Sequence, residues 1–153
     1  MNTILLSFVL AGAHWLDPDH DHAGVAEAIA HVVATEAPLY QGDADRRRTA
    51  SLVLAIAWRE SSFRNDAVSA TNDHCLMQIN RRPDLAEDPE ECLRVGIAMI
   101  RYSMRACAEH PIATYASGLG GCENARAQRI SRDRMALARR TYAAAVASLK
   151  GGM

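Results

Sequence analysis

Between residues 52 and 63 the chain reads Leu-Val-Leu-Ala-Ile-Ala-Trp-Arg-Glu-Ser-Ser-Phe, with Leu52, Val53, Ile56 and Ala57 at helical spacing. This predicts a buried helix, with Asp43 or Asp45 as its N-cap and Arg46, Arg47 and Arg48 as a solvated face near its start. Residues 23–37 predict an amphipathic helix that ends before Pro38. Downstream, Leu93, Ile97, Ile100 and Met104 form a second apolar stripe. Asp88 is placed to cap that helix, Pro89 takes its first position, Glu90 and Glu91 its first turn, and His110-Pro111 is expected to end it. Residues 112–116 read as a short helical turn running into the loop Ser117–Gly121. Residues 123–149 read as one or two helices, with Ser131 as a candidate internal cap. Between Phe63 and Cys75 the chain is dense in Asn, Asp and Ser, which is turn chemistry.

Residues 1–16 hold an apolar run too short to cross a bilayer as a helix, so no stable membrane insertion is expected. Two readings stand open for it: a signal peptide with small residues near Ala11–Ala13, or a helix packed on the domain. The absence of Lys or Arg ahead of the run counts against the first. Residues 17–22, Asp-Pro-Asp-His-Asp-His, have the look of metal ligands. The spacing is local and no further His or Cys completes a set, so a polar linker is expected and no metal. The organisation is therefore a segment 1–22 followed by one domain over 23–150, with no repeat and no internal linker.

Composition agrees with a mainly α fold: 49% of the 153 residues are hydrophobic, only 5% aromatic, and Ala is abundant. A formal net charge of −1 gives no sign of a nucleic-acid partner. The charge is uneven, with 15 acids and 7 Arg in residues 1–93 against 3 acids and 10 Lys plus Arg in residues 94–153. Four cysteines suggest disulfides and an oxidising compartment. Cys92 and Cys107 fall at opposite ends of one predicted helix and cannot meet, and Cys75–Cys92 with Cys107–Cys122 is the pairing proposed, against the alternative of free buried thiols.

The chemistry centres on Glu60, delivered by the predicted central helix at its last turn. The partial negative charge at a helix C-terminus and apolar neighbours such as Trp58 and Phe63 both disfavour an ion there. A carboxyl that keeps its proton near neutral pH is what a general acid requires. Three motifs accompany it: Glu60-Ser61-x-Phe63, then Leu76-Met77-Gln78-Ile79-Asn80, then Tyr115-Ala116-Ser117-Gly118. Over about residues 45–145 they resemble the soluble, goose-lysozyme-like type of lytic transglycosylase. That family shows Glu-Ser, Gly-Leu-Met-Gln and Ala-Tyr-Asn-Ala-Gly in this order.

The resemblance implies a lysozyme-like single domain and cleavage of the β-1,4 bond between N-acetylmuramic acid and N-acetylglucosamine in peptidoglycan. Glu60 would act as acid and then base, and the product would be a 1,6-anhydro sugar. It further implies that Ser61 and Gln78 hold sugar substituents, that Met77 lines the cleft, and that Tyr115 bonds and orients the catalytic acid. Tyr142 would match a second family tyrosine. No cofactor is implied. Action outside the cytoplasm is, with export or delivery by a secretion or phage assembly. Two departures stand out. Cys75 replaces the family's Gly, so the loop is expected to be shaped differently or held by a disulfide. Ala116 replaces the Asn, so either Ser117 supplies the polar contact or the site is weakened. Two alternatives remain: a hydrolytic muramidase with Asp73 as second carboxylate, and a non-catalytic wall-binding protein of the same fold.

Overall fold

The computed structural model describes residues 3–42 and 44–151. Six helices follow in order: α1 (Thr3–Leu16), α2 (Ala23–Thr35), α3 (Asp45–Ser61), α4 (Pro89–Ala106), α5 (Ala113–Ser117) and α6 (Ala125–Gly151). Between α3 and α4 lies a small antiparallel hairpin, β1 (Asp73–His74) and β2 (Ile79–Asn80), in which Asp73 faces Asn80 and His74 faces Ile79. The fold is mainly helical, as the sequence predicts. Among the described residues no helix is long and apolar enough to cross a membrane.

Helix α3 is the centre of the core. Residues 49–57 are all buried, because α1, α2 and α6 cover it on different sides. Helix α1 contributes Leu5, Phe8, Val9 and Ala13 to the same core. Gly12 lets it come close: a Cβ there would stand 2.8 Å from Leu54 and 3.1 Å from Thr141. Near the start of α3, Arg48 and Ser51 line a cavity with Ala138, Arg139 and Tyr142 of α6, while Glu60 at its end meets Arg134. The two helices therefore run antiparallel.

Several local expectations change. Asp45 is the first residue of α3 rather than its cap, which is Ala44, and Asp43 lies outside the described residues. Of the three arginines at the start of α3, Arg48 is exposed as expected, but Arg46 and Arg47 are engaged rather than solvated. Arg46 donates to the carbonyls of Val33 and Glu36 and so closes the end of α2, and the Arg47 guanidinium lies 5.9 Å from the Phe8 ring centre. Asp88 does cap α4, accepting the Glu91 N–H at 2.9 Å, but α4 stops at Ala106, short of His110. The last helix is one piece, and Ser131 serves a neighbour: its Oγ accepts the Ile112 N–H at 3.0 Å and anchors the start of α5. The cysteines pair as Cys75–Cys92 and Cys107–Cys122, with Cα separations of 6.3 and 5.6 Å. The first bridge ties the hairpin to α4.

Candidate active site

Helix α3 ends without a glycine. Ser62 and Phe63 take left-handed angles (φ +52° and +62°), and the Ser62 N–H returns to Trp58 O at 2.9 Å. This leaves Glu60 one residue before the helix terminus, partly buried. Its Oε1 accepts a hydrogen bond from Arg134 Nη2 of α6 at 2.9 Å, with the two side chains 26% and 16% exposed. Sequence reasoning missed Arg134, yet a signal existed. The buried positions of α6 include Ala127, Ser131, Ala138, Thr141 and Ala145, and Arg134 falls on that small-residue stripe.

The hairpin faces this helix end through backbone contacts. Ser61 Oγ donates to Leu76 O and Ala57 O, both at 3.0 Å, and Asn65 Oδ1 accepts the Leu76 N–H at 3.3 Å. Four residues around the hairpin hold left-handed angles: Asn72, Cys75, Gln78 and Arg81. Cys75 at φ +65° adopts the conformation a glycine would take, with its disulfide fixing it there. The loop thus keeps a glycine-like path despite the substitution.

Asp73, at the base of the hairpin, is surrounded by donors. Ser69 Oγ donates at 2.6 Å, Asn80 Nδ2 at 2.8 Å, and Thr71 Oγ1 makes a further short bond. Burial alone would push this carboxyl up, but the hydrogen bonds outweigh it and hold it below its ordinary value. Asp73 is therefore an ion at working pH. Tyr115 feels the charge of both acids. Its enclosed hydroxyl is pushed well above the usual tyrosine range, first by burial, then by the Glu60 charge, with Asp73 adding to it and Arg134 opposing. The phenol stays protonated.

Of the remaining expected residues, Ser61, Met77, Tyr115 and Tyr142 sit differently from their implied roles, while Gln78 and Ser117 keep open surface. Ser61 is buried and fastens α3 to the hairpin, so it does not face a sugar. Met77 is fully buried rather than lining a cleft; a Cβ on Gly96 of α4 would stand 2.8 Å from it. The Tyr115 hydroxyl donates to Met77 O, not to Glu60. Gln78 is partly exposed, and its Nε2 donates to Ala67 O and Cys75 O, both at 3.0 Å. Ser117 is exposed, with its Oγ bonded to Ala113 O at 3.3 Å. Tyr142 does not join the site: it packs on Phe8 (ring centres 5.6 Å apart) and lines the 360 Å³ cavity with Tyr40 and Arg139. It sits eight residues beyond Arg134, roughly 12 Å along α6.

The sequence model of the family described as transglycosylase SLT domain matches residues 41–137. The chain belongs to that family. No curated protein and no solved structure matches it. Within the SLT domain, the Glu60 carboxyl lies against the Arg134 guanidinium, and the matched stretch also holds an ionised carboxylate (Asp73) and a neutral phenol (Tyr115).

Proposed function

We propose that this SLT domain is a lytic transglycosylase that cleaves the β-1,4 bond between N-acetylmuramic acid and N-acetylglucosamine in peptidoglycan. The observation that carries the reading is the placement of Glu60: partly buried at the end of the core helix, against Arg134, beside the hairpin and Tyr115. Glu60 protonates the leaving glycosidic oxygen. The carboxylate so formed is the species that Arg134 holds. It then takes the proton of the muramyl 6-hydroxyl, whose oxygen attacks the anomeric carbon and closes the 1,6-anhydro ring. The proton given up is regained, and no water is consumed. One acid suffices because the nucleophile belongs to the substrate. Gln78 and Ser117 are motif residues with free surface to meet sugar substituents. Both disulfides fit work outside the reducing cytoplasm.

A second reading, hydrolysis of the same bond, is favoured by one observation: Asp73 is ionised and held by three side-chain donors. Such a carboxylate can position water or stabilise positive charge on the sugar. Digestion of purified peptidoglycan with mass spectrometry of the products tests both. Products ending in 1,6-anhydro sugar support the transglycosylase, and products carrying one added water support the hydrolase. Glu60→Gln should lower the rate about 10²–10⁴-fold. If the wild type releases neither product yet sediments with cell walls, the domain is a wall-binding protein.

A further inference from the structure

The turn from α1 to α2 does not behave as a plain linker. Asp17 Oδ1 and Oδ2 lie 3.0 and 3.1 Å from His20 Nδ1, and Oδ2 lies 2.9 Å from His22 Nε2. All three ligand-type atoms fall within 4.8 Å of one another. The Asp17 and His22 side chains are only 12% and 11% exposed, whereas His20 is 71% exposed. A third imidazole, His14 of α1, lines a 240 Å³ cavity together with His20, His22 and Asp21. No Lys or Arg occurs before Arg46 in the sequence.

We propose that Asp17, His20 and His22 form a binding site for a divalent transition-metal ion of the zinc type. Metal–nitrogen and metal–oxygen bonds of about 2.0–2.2 Å place neighbouring ligands about 3.0–3.5 Å apart, so the Asp–His separations here come to within a few tenths of an ångström of that spacing. Two imidazoles with one carboxylate suit Zn²⁺, Co²⁺ or Ni²⁺ and are a poor set for Mg²⁺ or Ca²⁺, which prefer oxygen. Three protein ligands leave coordination positions for water or His14, and the cavity beside them has room for either. Asp21 is excluded as a ligand through Oδ1, because that atom accepts the Ala23 N–H at 2.9 Å and starts α2. On binding, the ring nitrogens that now face Asp17 would coordinate as the lone-pair nitrogens of neutral imidazoles, each ring carrying its proton on its other nitrogen.

The site has a mechanical consequence. The His22 ring packs on Phe63 at 4.7 Å, and Phe63 packs on Trp58 at 5.5 Å. A metal fixing His22 would thereby brace the end of α3, where Glu60 sits. The proposal is independent of the glycosidase reading.

The test is calorimetric titration of ZnCl₂ into tag-free, chelator-treated full-length protein, with Co²⁺ absorption as a second readout. One equivalent should bind, and a hundredfold excess over Kd should raise Tm by at least about 5 °C. His20→Gln, at an exposed position that leaves folding intact by circular dichroism, should weaken binding at least tenfold, and Asp17→Asn should do the same. No binding of Zn²⁺ or Co²⁺ up to 100-micromolar order, or equal binding by wild type and His20→Gln, would overturn the proposal and leave the trio as an ion-paired turn.

Discussion

Arg134 occupies a stripe of α6 that otherwise holds small side chains. A guanidinium this sheltered needs a partner, and Glu60 supplies it at 2.9 Å. Removing either member strands the other in a poorly solvated place. A double-mutant cycle with Glu60→Gln and Arg134→Met, read by thermal unfolding, should therefore show coupling of about 1 kcal/mol or more. On the proposed pathway Arg134→Met should also lower kcat about tenfold or more with little change in KM, because the group acts on the carboxylate formed during reaction. Arg134→Lys, which keeps the charge and loses the planar fork, should fall between. An unchanged kcat in Arg134→Met would show the pair to be structural only. Cys75 gives a second residue-scale prediction. Its φ of +65° is costly for any side chain but Gly. With the bridge removed, Cys75→Gly/Cys92→Ala should be more stable than Cys75→Ala/Cys92→Ala by about 1 kcal/mol, measured by urea unfolding.

At the scale of the element, legibility followed how local the determining contact is. The start of α4 could be read from Asp88-Pro89-Glu90-Glu91, because the cap and its recipient N–H are three residues apart. The roles of Arg46 and Ser131 could not, because their partners lie on α2 and at the start of α5. The first motif marked the end of α3, while the second fell on a hairpin that the sequence did not predict, and a motif names residue types and not directions. Ser61 and Met77 accordingly turned out to build the joint between α3, hairpin and α4. The hairpin itself yields a pH prediction. The Asp73 carboxyl is held below its ordinary value, so the folded state binds fewer protons than the unfolded chain at mildly acidic pH. Its stabilising effect is complete above the ordinary carboxylate range and is lost as pH falls through that range and below. Tm of the wild type should drop between roughly pH 5 and pH 2, and Asp73→Asn should start lower at neutral pH and show a shallower drop. Equal slopes in the two proteins would mean that other acids carry the effect.

For the whole molecule the decisive question is the status of α1, which the sequence left between a leader and a packed helix. In the folded chain Leu5, Phe8, Val9 and Ala13 are buried against α3 and α6. Phe8 is wholly enclosed, with Tyr142 at 5.6 Å and Arg47 over its ring. Replacing such a side chain by Ala costs about 3–5 kcal/mol, against a total stability of about 5–15 kcal/mol for an ordinary domain. Losing the entire helix would uncover the faces of Leu54, Thr141 and Ala145 that Gly12 now approaches. The family match spans residues 41–137, so α1 lies outside the matched stretch while packing on its core. A chain beginning at Ala23 should then lose its cooperative thermal transition and expose apolar surface to a hydrophobic dye. Phe8→Ala in the full chain should lower Tm by about 6–15 °C while keeping the transition cooperative. If the shortened chain instead melts cooperatively near the wild-type temperature, the core closes without α1, and removal of residues 1–16 during export becomes compatible with a folded enzyme.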